Sequence, residues 1–291
     1  MDQGVQLLEK CSLHMELPSV LHEPCFYARN ESLEYLSYQN VRKLYDISSR
    51  PRDESNGSTK PMFNLVNKLV ENRNSVDLEY ILVCYDSYPL MDKLYPPLFV
   101  RNSLQAKKSL AFSFSNQGGL SPITAIHYGN IQKKNLLLVC MEQLWDYEEP
   151  KAERITRSDA LSVVHLHPTM GSLEILYYGI MLNESSSISI RSIFSAIEKI
   201  MLKAGISTDS LTIIPRSFSD HYTEAIRRKY PDVYMHQDQK DYSTADLFYS
   251  LSDYMKYSKK RKPYILLVFL DDIGTGCLIM RDNEYFSMEM S

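Results

Sequence analysis

Residues 111–130, AFSFSNQGGLSPITAIHYGN, lead from an apolar segment through a glycine turn into a second apolar segment. SLAFSFS, residues 109–115, reads as a buried strand. Residues 120–132 read as a helix, with Pro122 in its first turn, where a missing N–H matters little. Strand-to-helix junctions of this kind often hold a nucleophile, because the helix N-terminus favours an anion. This turn holds Ser115, Asn116, Gln117, Gly118 and Gly119, with no cysteine.

The same alternation extends outward in both directions. Upstream, SSRPRDESNGSTKP (48–61) is a turn-rich loop, and MFNLVNKLVENRNS has apolar residues at helical spacing. VDLEYILVCYDS holds a continuous apolar run of the kind found in strands buried on both faces, and a helix is expected near 98–105. Downstream, KKNLLLVCMEQ, ALSVVHLHP and GSLEILYYGIMLNE read as strands. ESSSIS can cap the helix IRSIFSAIEKIMLKAGIS, which ends near Gly205. DSLTIIPRS then reads as a strand, DHYTEAIRRKY and TADLFYSLSDYMKY as helices, and PYILLVFLDDIGTGCLIMRD as a glycine-turned hairpin. Strands alternating with helices predict a layered α/β protein in two similar halves, 1–183 and 184–291, with no residue-level repeat.

Composition sets limits on function. The chain has 291 residues, is 44% hydrophobic and 23% charged, and carries a net charge of −4. That balance does not call for nucleic acid or an anionic membrane surface as partner. No apolar run approaches the ~20 residues of a membrane-spanning helix, and the start of the chain lacks a secretory layout. The five cysteines are scattered and form no CxxC pair, so neither a zinc site nor a disulfide framework is expected. A reducing cytoplasm is the expected setting. Tyrosine is abundant, 21 residues against one tryptophan, which suits both cores and interfaces.

Six segments, in order, resemble the motifs of the thiolase-like condensing enzymes, above all the β-ketoacyl-carrier-protein synthase III group. They are VDLEYILVCYDSYPL, LAFSFSNQGGL with KKNLLLVCMEQL, RSDALSVVHLH, LTIIPRSFSDHYTEAI, KDYSTADLFYSL and ILLVFLDDIGTGCLIMRD. The match spans roughly residues 76–291 and rests on the order of degenerate motifs. The resemblance implies a five-layer αβαβα fold of two similar halves, dimerised through the nucleophile strand. It also implies a cysteine nucleophile assisted by a histidine and an asparagine, with no cofactor. In this chain the cysteine position falls on Gln117 or Gly118, the histidine on Arg216, and the asparagine on Tyr242, or on Ser243 if the register slips. None supplies the family's chemistry: arginine stays charged and is a poor proton donor. Asp271 and Asp272 also stand where the family's C-terminal hairpin brings backbone against the site.

The resemblance therefore implies a non-catalytic subunit of a ketosynthase III-like pair, serving fatty-acyl, polyketide-type or secondary-metabolite synthesis. Its partner would be an active ketosynthase III-like chain, in a heterodimer or heterotetramer, meeting acyl carrier protein or coenzyme A thioester through that partner. Interface candidates are Ser109, Ala111, Ser113 and Ser115 on the nucleophile strand. One alternative is an active acyltransferase or decarboxylase using Gln117 or His221. Another is a stand-alone protein binding an acyl ligand.

Other residues have plainer readings. His165 and His167 share one strand face, but no third metal ligand accompanies them at a recognisable spacing. Cys84 and Cys140 lie in apolar strands, where burial raises rather than lowers a thiol pKa. His236, in a polar loop, is expected at the surface. KYSKKRK (256–262) could meet an acidic carrier protein or coenzyme A phosphates, or simply end a helix favourably. YEEPKAER is expected to be a solvated charged loop.

Overall fold

The computed structural model describes residues 9–10, 14–16, 78–86, 96–115, 117–142, 155, 160–169, 171–183, 188–236, 240–258 and 260–289. Cys11, Cys25, Lys259, the expected loop at 48–61, the helix after it and the loop YEEPKAER lie outside the described residues.

Among the described residues ten strands are paired: β1 (Glu9–Lys10), β2 (His14–Glu16), β3 (Tyr80–Cys84), β4 (Leu110–Phe114), β5 (Leu136–Glu142), β6 (Ala160–His167), β7 (Leu173–Leu182), β8 (Leu211–Pro215), β9 (Tyr264–Asp271) and β10 (Gly274–Asp282). The α-helices among the described residues are α1 (Pro96–Ser103), α2 (Ser121–Gln132), α3 (Ile190–Ala204), α4 (Asp220–Lys229), α5 (Asp246–Tyr257) and α6 (Asn283–Glu289). Strand order is β4-β3-β5-β6-β2-β7-β10-β9-β8, with β1 beside β7.

The two ends of this path repeat one topology. β3 is parallel to β5, and β5, β6 and β2 are successively antiparallel. Likewise β8 is parallel to β9, and β9, β10 and β7 are successively antiparallel. Even β4, parallel to β3, has a counterpart in the single parallel bridge of Val233 to Ile213. β7, which the expected boundary at 183/184 places in the first half, pairs with β1 and β2 and also with β10. The long strand Leu173–Leu182 carries no sign in its sequence of which sheet edge it will meet.

The apolar strand runs follow from burial on both faces. Leu82, Leu138, Ile214, Leu267 and Leu278 face one shared core with Ile123 and Ile126 of α2 and Phe248 and Leu251 of α5. Ile81, Val83, Leu137 and Val139 face the opposite way, onto Val100 of α1. Ile213, Leu266, Val268 and Ile279 turn outward onto Ile193 and Ile197 of α3 and Ile226 of α4. The layers are therefore α1, sheet, α2 with α5, sheet, and α3 with α4: the five-layer αβαβα arrangement.

Local signals place the helices. Ser189 caps α3 by accepting from Ser192 N at 3.1 Å, and Gly205 ends it at φ 67°, a conformation glycine adopts without a Cβ penalty. Pro122 sits in the first turn of α2. Among the described residues, no helix is long and apolar enough to cross a membrane.

Candidate functional site

β8 ends at Pro215, opposite Val268, and its parallel neighbour β9 runs on to Asp271, so the residues that follow β8 lie alongside the carboxyl end of β9. In layered α/β folds this is where sites assemble. Arg216 directly follows β8, and its backbone N–H donates to Val268 O at 2.9 Å. Its side chain is fully buried.

Three carboxylates converge around that segment. Asp241 takes the guanidinium bidentately, with Nε donating to Oδ1 and Nη2 to Oδ2, each at 2.8 Å. Nη1 donates to Leu270 O at 2.8 Å and to Asp271 Oδ2 at 3.1 Å. Asp271 Oδ2 also accepts from Gly119 N at 2.8 Å, in the 3₁₀ turn (Gly118–Leu120) that runs into α2. Asp246, at the start of α5, accepts from Ser217 N at 3.2 Å and from Tyr242 N at 3.0 Å. Burial works against the charge on Arg216, but Asp241 first, then Asp271 and Asp246, outweigh it and hold the guanidinium protonated more firmly than usual.

The glycine turn is shaped to this ion cluster. A Cβ on Gly118 would lie 2.2 Å from Asp271 Oδ2, and one on Gly119 would lie 2.1 Å from Arg216 Nη1. Gly118 also has φ +51°, which a residue with a Cβ adopts at a cost. Gln117 does not turn toward the cluster; its Oε1 accepts from Thr124 Oγ1 on α2. Arg216 lies against Gly119, one residue beyond the expected position at Gly118, and Gly118 itself lies against Asp271.

Tyr242 packs its ring among other aromatic side chains. That ring is buried, 5.4 Å from that of His236 and 5.3 Å from that of Tyr249, and the neighbouring Asp241 reaches Arg216. Ser243, the alternative position, donates its N–H to Asp241 Oδ1 at 2.8 Å. His221 is exposed on α4, against Tyr222.

His236 corrects an expectation. It is buried rather than at the surface, with Nε2 2.9 Å from Ser217 Oγ and 3.4 Å from Asp246 Oδ2. The buried Asp246 at the start of α5 draws it inward. Both contacts use one imidazole nitrogen and all three side chains are inaccessible, so this trio is not arranged as a Ser-His-Asp nucleophile. Asp241 and Asp246 were not singled out from the sequence. The available signal was an arginine at the end of an apolar strand, which needs carboxylate partners if buried.

The remaining candidates resolve simply. Ser109 is buried and donates to Leu78 O, whereas Ala111, Ser113 and Ser115 stay half-buried on or beside edge strand β4. This turns Ser109 away from the expected interface, because its hydroxyl ties the strand entrance to the start of β3. His165 Nε2 meets Asn135 Oδ1, and no cluster of three potential metal ligands exists among the described residues. In the basic segment, Arg261 pairs with Asp282 and Glu284, and Lys262 Nζ donates to Asp209 O.

Neither a family model nor a curated protein matches the sequence. Solved structures do match the architecture. ChlB3, described as an acyltransferase, superposes with a TM-score of 0.65 at 13% identity, covering 96% of this chain and 98% of that one. The 3-oxoacyl-[acyl-carrier-protein] synthase III of Aquifex aeolicus VF5 gives 0.64 at 16% identity, covering 94% and 100%. The fold is that of the ketosynthase III-like condensing enzymes. AbyA1, a tetronic acid condensing enzyme, shares this ketosynthase III-like fold at a TM-score of 0.65 and 10% identity, covering 94% of this chain and all of that one. Identities this low establish a common architecture and nothing about chemistry.

Proposed function

We propose that this chain is a non-catalytic member of a ketosynthase III-like condensing system, paired with an active synthase that carries the covalent chemistry. The observation that carries this reading is the ion cluster itself. Arg216, Asp241 and Asp271 occupy the place toward which the glycine turn points, and neither Gly118 nor Gly119 leaves room there for a thiol-bearing side chain. Acyl transfer by the fold's usual chemistry needs an accessible nucleophile and a group that can give and take a proton. Arg216, held protonated, does neither.

What remains is a folded core and, among the described residues, a sheet edge with no strand beyond it. β4 ends the sheet path, with Leu110 58% exposed and Ala111, Phe112, Ser113 and Phe114 half-buried. An edge strand of this kind pairs readily with another chain. In this role the subunit completes the partner's acyl pocket, and acyl carrier protein or coenzyme A thioester is handled through that partner.

The test is co-expression with ketosynthase III-like chains from the same genome, followed by size-exclusion chromatography and intact mass after incubation with an acyl-thioester. A stable one-to-one complex acylated only on the other chain is expected. Acylation of this chain alone would overturn the reading.

A further inference from the structure

The two carboxylates on Arg216 are held differently. Asp241 is bound fork to fork, both oxygens at 2.8 Å, with Ser243 N as a further donor. Asp271 meets the guanidinium through one oxygen at 3.1 Å, and that same oxygen takes the Gly119 amide at 2.8 Å. The Asp271 side chain is 11% exposed where that of Arg216 is 0% exposed, so Asp271 closes the cluster from its solvent side. It is the last residue of β9, two residues before the exposed Ile273 of the hairpin turn.

A buried guanidinium N–H and a backbone amide at the entry to α2 thus converge on one carboxylate oxygen, with the partial positive charge of the helix end behind them. We propose that Asp271 is an internal ligand, seated in a binding site for a small monocarboxylate formed by Arg216 Nη1 and Gly119 N–H. The site accepts a free carboxylate of formate or acetate size when the Asp271 carboxylate is removed. The inference rests on this geometry and does not depend on a partner subunit.

The shape of the site makes the test selective. Asp271→Ala removes a group the size of formate, and Asp271→Gly one the size of acetate. Thermal unfolding of the isolated full chain is followed in sodium formate, sodium acetate and sodium chloride at matched ionic strength. The midpoint of Asp271→Ala is expected to fall by several degrees and then rise saturably with formate, because a ligand that binds only the native state stabilises it. Asp271→Gly should respond better to acetate than to formate. The parent chain, whose site is filled, and Glu224→Ala, which loses an exposed carboxylate, should show no saturable response. Equal effects of chloride and formate, or an equal response in the parent chain, would overturn the proposal. If Asp271→Ala accumulates as aggregate, the yield on refolding in formate against chloride reads the same property, and no difference between them counts against the site. Every arm uses this chain without a synthase, so a failed rescue leaves the partner reading standing, and a failed complex leaves the carboxylate site standing.

Discussion

At the scale of single residues, the ion cluster dominates. Buried pairs add little net stability over apolar packing, but breaking one from one side is costly. Arg216→Met strands Asp241 and leaves Asp271 facing an apolar group, so a loss of about 3–5 kcal/mol is expected in urea unfolding. Restoring a nucleophile should fail for a steric reason. Gly118→Cys would press a Cβ to 2.2 Å from Asp271 Oδ2 and hold a non-glycine residue at φ +51°. It is expected to lower the unfolding midpoint and to show no mass increase after exposure to an acyl-thioester. The sequence pointed to Arg216 and to the unusual acid at Asp271, because both stand at motif positions that the resemblance marks. It did not point to Asp241 or to the burial of His236, since those depend on which side of a turn faces the strand ends.

At the scale of elements, the strands are buried on both faces, and this governs cysteine chemistry. Cys84 on β3 and Cys140 on β5 are register partners and fully buried. Burial, then the neighbouring Cys140, pushes the Cys84 thiol well up, and burial does the same to Cys277 on β10. Because all three thiols are buried, they should resist alkylation in the native chain and react only after unfolding, as peptide mass mapping would show. The junction of β10 and α6 gives a pH test. Asp282 is buried and accepts from Glu284 N at 3.0 Å and Tyr285 N at 3.2 Å, with Arg261 Nη1 3.4 Å from its other oxygen. Burial outweighs Arg261 and raises its pKa. A raised carboxyl pKa contributes stability below the unfolded value, about 3.9, and that contribution is lost as pH rises through the folded value. Asp282→Asn, which keeps an acceptor for the two amides, should thus gain stability relative to the parent as pH rises from about 4 to 7. Matched thermal melts across that range would check the sign.

At the scale of the whole molecule, two equivalent strand-and-helix units share one central helix layer, and β4 is an edge strand among the described residues. If that edge is an interface, a charge on it should cost association and little else. Leu110→Lys, at a position 58% exposed, is expected to change stability by no more than about 0.5 kcal/mol while abolishing co-elution with an active synthase. Loss of co-elution without loss of the melting transition would separate an interface role from a folding role.

Layer order and element order were legible in the chain because they follow from local properties. Runs such as ILVC at 81–84 and LLLVC at 136–140 are apolar at every position, so each strand needs cover on both sides, and helices at amphipathic spacing supply it. Capping serines and Gly205 set helix ends through contacts within a few residues. Tertiary structure alone decided that β7 pairs with β10, that His236 is buried against Asp246, and that Asp241 reaches Arg216. Those outcomes depend on where strand ends from distant parts of the chain come to rest beside one another. Sequence supplied a charge at the end of β8, and only the packed fold determined which carboxylates would neutralise it.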